Sequence, residues 1–207
     1  PFIAVRAGSP QLDLCQGYAA YAQARKQAGS DTVARSGQKL RKLIREIGPL
    51  EFKAEADDEP AFEQLIAWKS AQYLRTGLAD VFAFPWTRSL LDHLRKQRGA
   101  AFCAPLSVLR AGGRLVAAAV SLRSHGVLHC FFNAYDPELA AYSPGVLFML
   151  QLAEQAQSLG IATIDLGRGD ERYKASLASR HAEVCEGSVT CPSLATWLRS
   201  RWRWTRD

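Results

Sequence analysis

The alternation of hydrophobic and polar residues predicts a mixed α/β chain. From residue 50 onward the pattern predicts the order β-α-α-β-β-β-α-β-α-β. Turns at Gly112-Gly113 and around His125-Gly126 predict two hairpins that join three consecutive strands. Upstream, residues 2–6 predict a short strand, and apolar residues at helical spacing predict helices that end at Gly48-Pro49.

One stretch, residues 127–174, contains most of the functional signal. It predicts a buried strand, a polar turn, a helix that ends at Gly160, a second buried strand and a charged loop that enters another helix. The first strand, VLHCFFNA, is apolar on both faces, so neither side is expected to meet water. Because side chains alternate along a strand, we expect one face to carry Val127, His129 and Phe131 and the other Leu128, Cys130 and Phe132.

The helix in this stretch begins with residues suited to binding phosphate. Ser143 is the expected N-cap and Pro144 the first helical residue. Gly145 has no Cβ to block a ligand, and the amides of Gly145, Val146 and Leu147 are expected to have no partners within the helix. Free N–H groups and the helix dipole attract phosphate at such an end. The alternative is an ordinary capped helix that binds nothing.

Composition indicates a folded protein with a packed core. The chain has 207 residues, 48% of them hydrophobic and 22% charged. No apolar run approaches the roughly 20 residues that cross a bilayer. No signal peptide is visible, although a chain that starts at Pro1 is compatible with a processed or truncated product. Five scattered cysteines without a CxxC pair favour a reduced, cytoplasmic setting with buried thiols, and four histidines without ligand spacing predict no metal site.

Positive charge is concentrated near the two ends, within a net charge of +6. The basic residues of the first quarter are Arg25, Lys26, Arg35, Lys39, Arg41, Lys42 and Arg45, and those of the tail are Arg199, Arg201, Arg203 and Arg206. Such segments favour a phosphate-bearing or polyanionic partner; solvated helix faces are the alternative. In the tail, Trp197, Trp202 and Trp204 interleave with the arginines, which favours either contact with an anionic membrane or a docked or frayed terminus.

We therefore divide the chain into three parts. Residues 1–48 are predicted to be a basic helical arm, residues 49–192 a mixed α/β domain, and residues 193–207 a basic, Trp-rich tail. The boundary with the clearest sequence signal is Gly48-Pro49, because this pair ends a helix and precedes an alternating strand.

The order of elements resembles that of a GNAT-type acyltransferase domain. Within it, FFNAYDPELAAYSPGVLFMLQLAEQAQSLG followed by IDLGRGDERYK is similar to the CelD-like branch, which is linked to bacterial cellulose and exopolysaccharide biosynthesis and related to FemABX-type aminoacyl transferases. The combination of AYDP, SPG at a helix start and GRGDExYK carries this resemblance, which covers roughly residues 35–190. The resemblance implies a mixed, mostly antiparallel central sheet flanked by helices on both faces.

Two features depart from the relatives. The R/QxxGxG/A pyrophosphate loop of ordinary GNAT enzymes is absent, so that YSPG must take its place. Relatives also usually carry another half before the position of Pro1, so the acceptor site of this chain is expected to be incomplete if the chain is a fragment.

The resemblance also implies the substrates and the residues that bind the donor. The donor would be an acyl-CoA, with acetyl-CoA expected, and the acceptor an amine or hydroxyl such as that of a sugar. A membrane-associated polysaccharide synthase is a candidate partner. The strand end and helix start would bind the donor through Asn133, Ala134, Tyr135, Ser143, Gly145, Val146 and Leu147.

Acyl transfer needs a base for the acceptor, an acid for the leaving thiolate and a positive charge near the oxyanion. Asp170 or Glu171 is the candidate base, and the resemblance makes Tyr173 the candidate acid. The candidate positive charges and substrate contacts are Lys174, Arg168, Lys39 and Lys42. The alternative is a structural network in which Asp170 caps the helix and pairs with Arg168 or Lys174. Asp165, inside a strand, is either buried with a partner or functional, and a structural role is favoured. His129 is interpreted as a packed histidine rather than a base.

Three functions remain open from the sequence. The first is a cytoplasmic acyl-CoA-dependent N- or O-acyltransferase that acts without a covalent intermediate and is peripheral to the membrane if associated with it at all. The second is a FemABX-like transferase that takes an aminoacyl group from tRNA and uses the basic residues 25–45 to bind RNA. The third is a scaffold of a cellulose synthase system that keeps the fold without turnover.

Overall fold

The computed structural model describes residues 2–169 and 171–188, which form one sheet with helices on both faces. The strands are β1 (Phe2–Asp13), β2 (Leu50–Lys53), β3 (Phe102–Cys103), β4 (Leu106–Ala111), β5 (Arg114–Ser124), β6 (Val127–Tyr135), β7 (Thr163–Asp165) and β8 (Arg180–Ser188). The helices are α1 (Gly17–Gln27), α2 (Thr32–Ile47), α3 (Glu59–Arg75), α4 (Pro85–Arg95), α5 (Pro144–Gln155) and α6 (Arg172–Leu177). Short 3₁₀ turns at Val81–Ala83 and Pro137–Tyr142 precede α4 and α5.

The sheet is antiparallel except at one place. Its strands follow the order β2-β4-β5-β6-β7-β1-β8, with β3 paired to the end of β5. β6 and β7 are parallel neighbours, because α5 lies between them in the chain and returns it to the end of the sheet at which β6 begins. The predicted fold class is confirmed. The predicted order from residue 50 is also confirmed, and the structure adds the two-residue strand β3.

The N-terminal strand is longer than predicted and lies inside the sheet. β1 pairs with β7 through Gln11 and Asp165, and with β8 through Ser9 and Ala182. Its second half contains Gly, Ser and Pro, which disfavour a strand locally, but partners on both sides override that preference. Residues 2–13 are therefore a strand rather than part of a helical arm. The division at residues 48 and 192 stays a prediction.

Two hydrophobic cores lie on opposite faces of the sheet. α1, α2 and α5 cover one face, where Leu43 of α2 and Phe148 of α5 are buried against Leu109 and Leu128 of the sheet. α3 and α4 cover the other face, where Phe62 is buried in a cluster with Val120. The sheet is thus the middle layer of three in the region of β2, β4, β5 and β6.

The two predicted hairpin turns are confirmed. Ala111 pairs with Arg114 across Gly112-Gly113, and Ser124 pairs with Val127 across His125-Gly126. All four turn residues have positive φ, between 49° and 81°, as a two-residue turn that follows the strand twist requires. His125 takes this conformation without being a glycine.

A bulge at Phe131 changes the faces of β6. Val120 of β5 pairs with Phe132, but the next residue, Ser121, pairs with Cys130, so Phe131 is the extra residue. Cys130 therefore lies in the α5-side core, while Phe132 packs on the α3-side core. The expected alternation through Phe132 is wrong at this point, because strict alternation assumes an unbroken ladder. Val127 and Phe131 also remain 39% and 38% exposed, so this strand is not buried on both faces along its whole length.

The cysteines are divided between core and surface. Cys103 and Cys130 are buried, as expected of small apolar side chains, but Cys15 and Cys185 are exposed. All four are free thiols. Cys191 and the Trp-rich tail lie outside the described residues.

Candidate active site

The sheet opens where β6 and β7 part. The two strands pair over three positions only, ending with His129 opposite Asp165. β6 then continues to Tyr135 with β5 as its partner, while the chain after β7 turns away through Gly167 and Gly169, whose φ values are positive. The edge of β6 beyond His129 is thereby left without the parallel neighbour. A parting of parallel strands at their carboxyl ends is a common place for a ligand.

The start of α5 lies beside the end of β6, but its amides differ from the prediction. The N–H groups of Val146 and Leu147 both donate to the Ser143 carbonyl, at 3.0 and 3.1 Å. The expectation of three free amides is therefore wrong for these two, and Leu147 is buried in the core. Gly145 N–H has no partner in the part of the chain that the structure describes.

Ser143 precedes α5 in an unusual conformation. It has φ +54°, which is rare for a residue other than glycine, and its side chain does not cap the helix. Instead, Lys39 Nζ of α2 donates to Ser143 Oγ at 2.5 Å. Lys42, one turn later, lies 5.6 Å from the centre of the Tyr142 ring. The positive end of the helix dipole is thus accompanied by two ammonium groups.

The bulge at Phe131 turns the end of β6 toward this helix start. The side chains of Asn133 and Tyr135 lie on the α5 face, whereas Ala134 is buried in the α3-side core. The Tyr135 ring is 3.7 Å from the position that a Cβ on Gly145 would take. Of the three predicted residues at this strand end, two therefore lie on the same face as the predicted phosphate seat, and the Ala134 side chain does not.

Lys174 closes the loop that follows β7. Its ammonium donates to the carbonyls of Gly167 at 3.3 Å and Arg168 at 2.9 Å, and it pairs with Glu171 at 3.0 Å. An ammonium has three N–H groups, and these three acceptors match them. The side chain is 7% exposed. Lys174 therefore fixes the loop against α6, which accounts for the burial of a charged residue.

Tyr173 lies next to β6 and stays protonated over a wide pH range. Burial raises the pKa of its phenol to about 12, the nearby Cys130 and Glu171 act in the same direction, and the Asn133 side chain acts against them. The pKa of Glu171 is shifted in the opposite direction, so that its ionised form is favoured. Burial alone would raise the pKa of its carboxyl, but its backbone hydrogen bond and the nearby Lys174 and Lys69 hold that pKa below the usual value. At neutral pH the site thus holds a protonated phenol and an ionised carboxylate.

Two predicted site residues do not join this group. The Arg168 guanidinium bonds to Glu186 of β8 at 2.9 Å, and both side chains are largely exposed. Asp170 lies outside the described residues. The alternative network around Asp170 therefore stays a prediction; within the described chain, Arg168 pairs with Glu186 and Lys174 with Glu171.

The sequence of this chain matches the acetyltransferase (GNAT) domain family over residues 30–175. The chain belongs to this GNAT family. The matched range includes α2, the β6–β7 opening, the start of α5 and the loop closed by Lys174. The chain therefore has the fold of a GNAT acyltransferase domain.

Two solved structures have a fold similar to this chain at low sequence identity, and a third matches with a TM-score below 0.5. FemX matches with a TM-score of 0.59 at 8% identity, covering 85% of this chain and 59% of that one. A conserved protein of unknown function from Bacteroides thetaiotaomicron VPI-5482 matches with a TM-score of 0.55 at 10% identity, covering 86% and 59%. The C-terminal domain of a lysylphosphatidylglycerol synthetase from Agrobacterium fabrum matches at 0.49 and 16%, covering 83% and 50%. The chain thus spans 50 to 59% of these relatives. A search of curated proteins finds no match.

The structure adds two features of the GNAT site that the sequence analysis missed. Lys69 of α3 is close enough to Glu171 and Lys174 for their charges to act on it, and burial lowers the pKa of its ammonium. The sequence signal for Lys69 was a lysine within the largely apolar helix segment AFEQLIAWKSAQYL. The second feature is the approach of His129 to Asp165, which can be recognised only once the register of β6 with β7 is known.

The described residues contain neither a metal-binding cluster nor a membrane-spanning helix. Among the described residues, no group of three or more His, Cys, Asp or Glu lies close enough together to hold a metal ion. Within residues 2–169 and 171–188, no helix has both the length and the hydropathy needed to cross a bilayer.

Proposed function

We propose that this GNAT domain transfers an acyl group, acetyl in the first instance, from a CoA thioester to an amine or hydroxyl acceptor. The observation that carries the proposal is the shared face of β6. Tyr135 lies against the positively charged start of α5, and Asn133 lies beside Tyr173, which can give up a proton. Residues two apart on a strand are roughly 7 Å apart, so an anion seat and an acid lie within the length of one extended ligand.

The seat at α5 suits a diphosphate for three reasons. Lys39 brings an ammonium to the helix start, Gly145 offers a free N–H, and the helix dipole adds partial positive charge. Lys42 lies one turn from Lys39 and is exposed, so it is placed to meet a further phosphate. We assign the binding of the donor to this group together with Asn133 and Tyr135, and no role to the Val146 and Leu147 amides.

The protonation states favour direct transfer. The acceptor attacks the thioester carbonyl, and the leaving sulfur needs a proton, which Tyr173 holds at neutral pH. Lys174 has its N–H groups engaged, so we assign it to positioning the loop rather than to the oxyanion. Glu171 is a weak base in this setting because its ionised form is stabilised. From the sequence alone, Asp170 remains a candidate base.

The acceptor class is proposed from the sequence resemblance. The AYDP, SPG and GRGDExYK motifs are similar to the CelD-like branch, so we propose a sugar hydroxyl or amine of a cell-envelope polysaccharide as the acceptor. The same resemblance makes a membrane-associated polysaccharide synthase the proposed partner. Arg168, exposed beyond the loop, is placed to contact such an acceptor if its pairing with Glu186 opens.

Substitution of Gly145 tests the donor site. Gly145→Asp places a carboxylate at the phosphate seat and should weaken acetyl-CoA binding by about 2 kcal/mol, which is roughly 30-fold. The backbone there is helical, and a Cβ meets the Tyr135 ring at an ordinary 3.7 Å, so the fold should tolerate the change. Titration calorimetry with acetyl-CoA and desulfo-CoA gives the affinities.

Gly145→Ala is the matched control for that test. It adds the same Cβ without charge and should bind acetyl-CoA nearly as well as the wild type. Equal affinity of the Asp variant and the wild type would place the donor elsewhere. If the wild type binds neither CoA compound, the acyl-CoA proposal fails and the scaffold function is favoured.

A second candidate, transfer from an aminoacyl-tRNA, is supported by the exposed face of α2. Arg35, Arg41, Lys42 and Arg45 are all exposed on this helix, and its inner side carries Lys39 to the start of α5. A polyanion bound along α2 would therefore reach the same site. The relation of the CelD-like branch to FemABX-type aminoacyl transferases agrees with this candidate. Tight tRNA binding that falls steeply with salt, without acetyl-CoA affinity, would favour it.

A further inference from the structure

His129 occupies the last paired position before β6 and β7 part. Its Nδ1 is 3.8 Å from Asp165 Oδ1 on the neighbouring strand. The two side chains differ in exposure, at 43% for His129 and 15% for Asp165. His129 also pairs with Leu122, which packs on the α3-side core, so the imidazole lies on the face of the sheet opposite α5. The pair thus consists of a mostly buried carboxylate and an imidazole that solvent can reach.

Asp165 is held as a fixed anion. Ser9 Oγ donates to Oδ1 at 2.5 Å, Gly167 N–H donates to the same oxygen at 2.8 Å, and Gln11 Nε2 is 3.3 Å from Oδ2. Burial alone would raise the pKa of this carboxyl, but His129 and these three donors hold the pKa far below its usual value. Gln11 is itself fixed, because its Oε1 accepts from Arg180 Nε at 3.0 Å. The three hydrogen bonds from Ser9, Gln11 and Gly167 therefore fix the orientation of the Asp165 carboxylate.

The far side of the imidazole faces the loop after β7. A Cβ placed on Gly167 would lie 3.5 Å from His129 Cε1 and 4.0 Å from Nε2. Gly167 has φ +74°, so a glycine is favoured here by both conformation and space. In the described chain Nε2 has no hydrogen-bond partner, whereas Nδ1 faces the carboxylate. At 3.8 Å the carboxylate can attract the Nδ1 side of the ring by charge but is beyond hydrogen-bond distance, and Nε2 is the nitrogen left for a substrate.

We propose that His129 is the general base of the acyl transfer, with Asp165 as its positioning residue. The assignment rests on the proposed function. As the acceptor nitrogen or oxygen bonds to the acyl carbon, its proton passes to Nε2 of His129. The carbon–sulfur bond then breaks, and the thiolate takes a proton from Tyr173. Both protein groups return to their starting states by proton exchange with solvent.

The geometry divides the two substrates between the faces of the sheet. Tyr173 and the start of α5 lie on one face of β6, and His129 lies on the other, at the last position of β6 that pairs with β7. An acceptor would therefore approach from the α3 side and a donor from the α5 side. Glu171 is less suited to be the base because Lys174 already holds its carboxylate.

Of the charged side chains around His129, the Asp165 carboxylate is the one placed to interact with its imidazole. Charged side chains on the elements around it include Asp165 on β7, Glu171 and Lys174 at the start of α6, Lys69 on α3 and Arg123 on β5. Arg123 pairs with Glu55, and Lys174 pairs with Glu171. Asp165 is the carboxylate within 4 Å of the imidazole.

The test compares His129→Gln with the wild type in acetyl transfer from acetyl-CoA to glucosamine, ethanolamine and water. Thiol release is followed between pH 5 and 9, a range that spans the protonation of imidazoles. We expect His129→Gln to lower kcat by about 10²- to 10⁴-fold and to abolish the fall in rate at acid pH. Acetyl-CoA affinity by calorimetry should stay within about twofold. Asp165→Asn should lower kcat less and shift the acid limb, and Ser9→Ala should do so more weakly.

His93→Gln is the matched control, since His93 is an exposed histidine on α4, and it should leave rate and pH profile unchanged. If His129→Gln keeps the wild-type kcat and acid limb, the base is another group and the proposed function stands. If the wild type binds acetyl-CoA but releases no thiol with any of the three acceptors, the assignment of His129 is overturned while the donor site stands. A wild type that neither binds nor turns over acetyl-CoA overturns both proposals.

Discussion

Tyr173 and Asp165 show how burial acts on single residues near the opening of the sheet. The phenol has a pKa raised to about 12, chiefly because burial disfavours its anion. The carboxyl is also desolvated, yet its pKa falls because His129, Ser9, Gly167 and Gln11 all stabilise the ionised form. Desolvation acts against charge in both cases, and the number of donors decides the outcome. Each shift has a measurable consequence.

We expect Tyr173→Phe to lower kcat for acetyl-CoA by about 10²-fold, with unchanged affinity, because the thiolate loses its proton donor. The wild-type rate should not decline on the alkaline side until the pH passes about 10, since the raised pKa keeps the phenol protonated. Thiol release between pH 6 and 11 measures both. Tyr18→Phe is the control, because burial raises the pKa of Tyr18 to about 12 as well, but in α1. Equal losses in the two variants would argue for a structural role.

Asp165→Asn should lower the free energy of unfolding at pH 7 by about 1 to 3 kcal/mol, because the hydrogen bonds to a buried charge are weakened. The folded-state pKa lies below the unfolded value near 3.9, so this contribution is complete above about pH 4 and is lost as the pH falls toward the folded pKa. The difference between variant and wild type should therefore shrink between pH 4 and 2. Urea unfolding across that range measures it. A difference that stays constant would contradict the assigned linkage.

At the scale of elements, the β7–α6 loop and the bulged strand β6 build the site. Lys174 reaches back from α6 to two loop carbonyls, which fixes Gly167 against His129. The bulge at Phe131 sends Asn133 and Tyr135 to the α5 face, although the residues before it would have placed them on the other. A one-residue insertion in one strand thus decides which side chains meet the donor.

Lys174→Met should destabilise the domain by about 2 to 4 kcal/mol, because two carbonyls and Glu171 lose a buried donor. Methionine keeps most of the apolar stem, so the loss reports on the ammonium. Lys96→Met is the control: Lys96 pairs with Asp92 at the surface, where such pairs contribute little. Urea unfolding at neutral pH compares them. Equal stability of Lys174→Met and the wild type would show that the loop does not depend on this contact.

The elements that the sequence predicted well were those with local signals. The glycine hairpins, the helix start at Pro144 and the strand order from residue 50 were all found from periodicity and turn residues. The missed features depend on partners distant in sequence. β1 extends to Asp13 because β7 and β8 pair with it, and the bulge at Phe131 appears only in the register with β5.

The same limit applies to the candidate site. The residues of the α5 start and of the loop were recognised from their motifs, but the use of the Val146 and Leu147 amides follows from the backbone of Ser143 at φ +54°. His129 and Asp165 are 36 residues apart, and nothing in either local segment indicates that they meet. The site features that could not be predicted from the sequence therefore depend mostly on contacts between different helices and strands.

For the whole molecule, the distribution of charge around the opening distinguishes the two donors. Lys39 lies inward on α2, where it contacts Ser143, whereas Arg41 and Arg45 are exposed on the same helix. A CoA diphosphate needs the inner lysine and the start of α5. An RNA backbone also needs the outer arginines, because each neutralised phosphate adds to the affinity and to its salt dependence.

Two variants of α2 separate these donors. We expect Lys39→Met to weaken acetyl-CoA binding about tenfold, through loss of a charge at the phosphate seat, and the double variant Arg41→Gln, Arg45→Gln to leave it unchanged. Calorimetry at 50 and 200 mM salt gives both affinities, and tRNA retention on filters at the same salt concentrations gives the comparison. An RNA site would reverse the pattern, because several phosphates along the helix would lose contacts in the double variant. The inner and outer charges lie on the same helix, so the two variants remove positive charge from different sides of α2. The donor whose binding depends on the inner lysine alone is the one that the start of α5 binds.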